Sequence, residues 1–117
     1  MNVYEVAGKV FTFHHRVKGI PNPSYESWST IRVLENHSRI AIIENYGCYY
    51  EYREDYSLHK ESVVDCEKFF KEAGIDSLLV ITDGAYPKFL DVLKDLGFDE
   101  AKIKDKYNIY SMWSKSI

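Results

Sequence analysis

Basic charge is in short supply. Fifteen Lys and Arg stand against 18 Asp and Glu, for a formal net charge of −3 over 117 residues. Such a chain lacks the positive face that displaces counterions from a phosphate backbone, so nucleic acid is not expected as a partner. No run of about 18 apolar residues occurs, so no membrane span is expected. Met1 to Glu5 carry neither a basic n-region nor an apolar h-region, so no secretory signal is expected. Cysteine is scarce: Cys48 and Cys66 form no metal-ligand spacing and no disulfide framework. A reducing cytoplasm is the expected compartment, with no metal. Glycine is scarce too, six in all, and none lies between Gly47 and Gly74. Repeats and low-complexity segments are absent.

What is present is apolar and aromatic. Hydrophobic residues make up 45% and aromatics 15%, with ten tyrosines. That balance excludes disorder and fits one domain over residues 1–117. In Met1 to Phe13 the spacing of Val3, Val6 and Val10 suits a helix, while the β-branched and aromatic content suits a strand; both stay open. Gly19 to Ser24 holds two prolines and is a break. Ser29–Leu34, Arg39–Glu44 and Cys48–Arg53 read as three strands. Glu35 to Ser38 and Asn45 to Gly47 read as the turns between them, which makes an antiparallel meander.

Ser57 reads as the N-cap of a helix whose inner face is Val63, Cys66, Phe69, Phe70 and Ala73, stopped by Gly74. The apolar run Ser77–Thr82 predicts a strand covered on both faces. Pro87 opens a second helix with Phe89, Leu90, Leu93 and Leu96 inside, stopped at Gly97. Tyr107–Trp113 closes the chain as a strand. The expected fold class is α+β. A meander is followed by helix, strand, helix and strand in a mixed sheet with helices on its faces.

That order, together with Leu90-Asp-Val-Leu-Lys-Asp-Leu-Gly-Phe98, resembles the C-terminal part of the GNAT acyltransferase superfamily over residues 29–113. The narrower likeness is to small acetyltransferase-like proteins carried in virions of short-tailed bacteriophages. The resemblance implies a single GNAT-like domain and acetyl-CoA chemistry, and it names the positions that chemistry uses. Family members cradle a pyrophosphate with Arg/Gln-x-x-Gly-x-Gly/Ala before the helix that follows the meander. Small residues there let backbone N–H groups reach the phosphates. Here that place is Arg53 to Ser62, which has no glycine and carries Glu54, Asp55 and Tyr56. Many members place a proton-donating tyrosine four residues before the second helix-ending glycine. Leu93 stands there and can transfer no proton. The asparagine that meets the pantetheine arm in members has no counterpart in Asp83 to Tyr86. The segment before Pro21 is also short for the family's first strand and helix pair.

Other constellations read as structural. His14 and His15 are adjacent and face different ways, and no spacing joins either to His37 or His59 as metal ligands. Cys66 reads as a buried small hydrophobe. Glu51, Glu54 and Asp55 read as a solvated strand end, and Lys102, Lys104 and Lys106 as a soluble edge. The tyrosines are the exception. Tyr46, Tyr49, Tyr50, Tyr52 and Tyr56 are the candidate protein-interaction surface, with Tyr50 and Tyr52 alternating onto one strand face and Tyr49 onto the other. No catalytic, cofactor-binding or metal residue is expected. The leading expectation is a non-catalytic GNAT-like protein that binds a protein partner, phage structural or host, in the virion or the bacterial cytoplasm. The alternatives are an active acetyl-CoA-dependent N-acyltransferase with a divergent cofactor loop, using Tyr86 or water as proton donor, or a small inhibitor of a host enzyme. One geometric feature discriminates: central strands that part around a cleft favour the enzyme.

Overall fold

The computed structural model describes residues 1–5, 9–19, 21, 23–34, 39–101 and 110–117. The chain opens with two strands, β1 (Asn2–Glu5) and β2 (Val10–His15), so the strand alternative holds for this segment. Their antiparallel link spans residues 6–9, too short for the helix pair the family resemblance implies there. Strands β3 (Ser27–Leu34) and β4 (Ile40–Cys48) complete the meander. Next come helix α1 (Tyr56–Glu72), strand β5 (Ser77–Thr82), helix α2 (Pro87–Asp95), and strands β6 (Asp99–Ala101) and β7 (Ser111–Ser116). The sheet order is β1-β2-β3-β4-β5-β7-β6. Among the described residues only β4 and β5 run parallel, with α1 as their crossover.

Several elements differ from the sequence reading. Asn45 to Gly47 is not a turn: β4 runs unbroken through it, because Asn45, Tyr46 and Gly47 pair with Thr30, Ser29 and Trp28. Residues 48–53 are therefore not a third strand, and Tyr50–Tyr52 form a single 3-10 turn. The N-cap is Asp55, not Ser57: its carboxylate accepts the Leu58 N–H at 3.0 Å. The last strand begins at Ser111, four residues later than expected, and residues 107–109 lie outside the described ones.

Both helix stops fall where the glycines predict. Gly74 (φ +83°) and Gly97 (φ +87°) adopt left-handed geometry. Ile75 N–H then reaches the Phe70 carbonyl and Phe98 N–H the Leu93 carbonyl, closing each last turn.

Among the described residues the core lies on one face of the sheet. Phe13, Ile31, Val33, Ala41, Ile43, Leu78, Val80 and Trp113 point from the sheet toward Val63, Cys66 and Phe70 of α1 and Phe89, Val92 and Leu93 of α2. The expectation of helices on both faces is corrected, since both helices share this cluster. Leu79 and Ile81 are accordingly half-exposed on the other face. The apolar run of β5 reflects its central place between β4 and β7 more than cover on both sides.

Candidate functional site

The site begins with one extra residue in β4. Thr30 lies opposite Asn45 and Ile31 opposite Ile43, which leaves Glu44 as a bulge. A bulge bends its strand and raises the twist. On its other side β4 pairs with β5 only over Ile40–Ile43 against Ser77–Val80. Past that point β4 follows β3 to Cys48 and β5 follows β7 to Thr82, so the two strands part. Between them is a cleft of ≈ 340 Å³, lined by Asn45, Tyr46 and Gly47 of β4, Ile81 and Thr82 of β5, and Tyr86 at the N-cap of α2. Trp28 closes it from the helix-free face of the sheet. The parted strands favour the enzyme alternative over the leading expectation.

Register turns Tyr46 toward the helices, because it lies opposite Ser29 on the core face. Its ring stacks on Phe89 at 4.1 Å and 7° and meets Tyr86 edge-on at 6.1 Å. Its Oη lies 2.6 Å from His59 Nδ1, and His59 Nε2 lies 2.9 Å from the Arg53 carbonyl oxygen. A carbonyl only accepts, so Nε2 carries the imidazole proton and Nδ1 accepts from the Tyr46 hydroxyl. Burial lowers the His59 pKa, while the Arg53 carbonyl and the carboxylates of Asp55 and Glu54 work in the opposite sense. Burial raises the phenol of Tyr46.

The start of α1 is occupied from within the chain. Asp55 caps it and also accepts from Arg16 Nη1 at 2.8 Å. Arg16, in the left-handed region at φ +47°, further donates to Glu61 at 2.8 Å and Glu26 at 3.3 Å, and Lys18 pairs with Glu26. Burial opposes the charge of Asp55, yet the Leu58 N–H and Arg16 outweigh it and hold the carboxyl below its usual range. A carboxylate thus fills the helix-N-terminal position where a diphosphate would need bare N–H groups, so the residues here do not fit that group. Leu93 is fully buried in the core and offers no proton.

The five candidate tyrosines do not share one surface. Tyr46 is in the cleft. Tyr49 lies with Tyr25 and Trp28 in an aromatic cluster on the helix-free side, where His14 stacks on Tyr25 at 3.7 Å. Tyr50 is the most exposed and lies under the Arg53 guanidinium. Tyr52 is half-buried, and the Tyr56 hydroxyl donates to Asp95 of α2. The expected alternation of Tyr49, Tyr50 and Tyr52 fails because these residues are in a turn.

Cys48 and Cys66 are buried and free, and burial raises both thiols. Among the described residues no group of three or more His, Cys, Asp or Glu is placed to hold a metal ion. His37, Lys102, Lys104 and Lys106 lie outside the described residues. Sequence reasoning missed the Tyr46–His59 pair and the role of Arg16. These contacts span 13, 39 and 45 residues and cross between elements, so no periodicity marks them.

Strand order, the single parallel pair, its parting and the crossover helix together define the GNAT fold. Solved structures share it. A putative acyl-CoA N-acyltransferase from Klebsiella pneumoniae superposes with TM-score 0.70 at 12% identity, covering 93% of this chain and 73% of that one. A probable acetyltransferase from Staphylococcus epidermidis gives 0.68 at 15% identity, covering 93% and 68%. An N-acetyltransferase from Thermoplasma acidophilum in complex with coenzyme A gives 0.64 at 15% identity, covering 80% and 55%. No family sequence model matches the chain, and no curated protein sequence matches it.

Proposed function

We propose that this GNAT-fold chain transfers an acyl group from a thioester to an amine, with the thioester arm lying between β4 and β5. The parting of those strands past Ile43 and Val80 carries the reading. Strands that separate beside a cleft each turn a backbone edge into it, and an amide-bearing pantetheine arm can pair there as an added strand does. Support comes from the Thermoplasma neighbour, which is described in complex with coenzyme A. The diphosphate end differs, because Asp55 holds the start of α1. Binding therefore rests on the pantetheine arm and the acyl group.

Melting curves with acetyl-CoA and with S-acetylpantetheine, which has no phosphate, test this. Both are expected to raise Tm with concentration, and to a similar extent, since only the arm is gripped. No shift with either at millimolar concentration overturns the reading.

A second reading is favoured by the Asp55 cap and the buried Leu93: a non-catalytic GNAT-like protein that binds a protein partner, as a virion accessory or a host-enzyme inhibitor. It has Tyr49 and Tyr50 among its exposed large side chains to offer. It predicts no thioester response, together with capture of one defined protein whose binding is lost in Tyr49→Ala or Tyr50→Ala.

A further inference from the structure

We propose that Tyr46 and His59 are the proton shuttle of this acyl transfer, Tyr46 as the catalytic residue and His59 as the positioning residue that acts through it; the inference rests on the thioester reading above. Tyr46 belongs to both places at once. The residue lines the cleft between the parted strands, and its hydroxyl lies 2.6 Å from a fully buried imidazole, beside the buried Ser27 and Ser62 side chains. The imidazole has one tautomer available while its Nε2–H is held by the Arg53 carbonyl, so Nδ1 is always the accepting atom.

The step balances without any further reagent. As the neutral amine nitrogen bonds to the thioester carbonyl carbon, one N–H proton passes to Tyr46 Oη, and the phenol's own proton passes to His59 Nδ1. When the carbon–sulfur bond breaks, the thiolate takes a proton from Tyr46 Oη, which regains one from His59 Nδ1. The products are an amide and a thiol, and the shuttle returns to its starting state. One hydroxyl thus serves as base and as acid, the arrangement expected when no separate donor occupies the position of Leu93.

Burial and the Arg16 guanidinium oppose a transient imidazolium, and the nearby carboxylates and the Arg53 carbonyl offset part of that cost. His59 faces the carboxylates of Asp55 and Glu54 and the carbonyl of Arg53 from the segment before α1. It faces the Arg16 guanidinium from the segment after β2, and the rings of Tyr46 on β4 and Tyr86 ahead of α2. The acids that make this loop hostile to a diphosphate are the ones that stabilise a positive charge on His59. Of the two carboxylates that line the cleft, Glu44 is engaged by Arg32 Nε at 2.7 Å and Asp83 accepts the Ala85 N–H at 3.0 Å.

The experiment measures CoA release from acetyl-CoA with a thiol reagent, using spermidine and a lysine-containing peptide as acceptors, beside the acetyl-CoA melting shift. Tyr46→Phe keeps the ring on Phe89 and is expected to lose kcat by about 100-fold while keeping the acetyl-CoA melting shift. His59→Gln is expected to lose kcat similarly and to abolish an acidic inflection that the wild type shows below about pH 6.5. Tyr46→Phe with unchanged kcat and pH profile overturns the shuttle and leaves the cleft reading standing. Acetyl-CoA binding by the wild type without CoA release overturns the shuttle and the acyl transfer, and leaves only the thioester-arm cleft standing. Neither binding nor release overturns both.

Discussion

His15 is fully buried on the core face of β2, stacked beside Phe13, with Nε2 bonded to Ser29 Oγ at 3.0 Å. Its Nδ1 has no hydrogen-bond partner among the described residues, and Asp65 is 3.9 Å away. Burial, aided by the N-terminal ammonium and His14, lowers its pKa to about 4. The unfolded chain binds that proton near pH 6.5. Between those values the unfolded state holds more protons, so stability is complete above about pH 6.5 and is lost as pH falls toward 4. The loss is expected to be about 2.4 kcal/mol for this residue, read as the difference in urea unfolding between pH 7 and pH 4.5. His15→Gln is expected to lose markedly less over the same interval. A second residue-scale prediction concerns space. A Cβ at Gly47 would overlap the Trp28 indole across the strand pair. Gly47→Ala is expected to cost about 1–3 kcal/mol by forcing that ring aside, and the displaced indole reshapes the cleft. Tm and Trp fluorescence check it.

At the scale of elements, the junction from β4 to α1 decides what the site can grip. Asp55 does two jobs there, capping the Leu58 N–H and anchoring Arg16. Asp55→Ala is expected to cost about 1–2 kcal/mol in urea unfolding, because both the cap and the ion pair are lost. Asp55→Asn keeps a capping oxygen and removes the charge. It is expected to bind acetyl-CoA a few-fold more tightly than wild type at low salt, with S-acetylpantetheine unaffected, as titration calorimetry would show. The same junction shows what sequence can and cannot tell. The helix itself was plain from Val63, Cys66 and Phe70, and its end from Gly74. Its start was not, because Asp55 and Ser57 are both good caps and only backbone geometry chooses between them. Asn45-Tyr46-Gly47 carries turn-forming residues, yet the glycine makes room for Trp28, a partner 19 positions earlier in the chain.

For the whole molecule, element order was readable from hydrophobic pattern and helix stops, and it led to the GNAT fold that the superpositions show. The cleft was not readable in the same way. It arises from one bulged residue, Glu44, and a bulge leaves no mark on alternation that a turn would not also leave. The missing glycines before α1 were visible, and the structure places the Asp55–Arg16 pair at that junction. Burial on both sheet faces was overestimated, since a strand flanked by neighbours on both edges can carry an apolar run with a single helical layer.

The position of β7 between β5 and β6 has a consequence for synthesis. As the chain leaves a ribosome, the meander and α1 can assemble in order, each new strand joining the last. Strand β5 then docks on β4 with its outer edge bare, and the run Ser77–Thr82 waits for residues 111–116 to arrive. Until they do, an apolar strand edge is open to other nascent chains. Slow translation over the intervening segment is therefore expected to lower soluble yield more than equal slowing before residue 77.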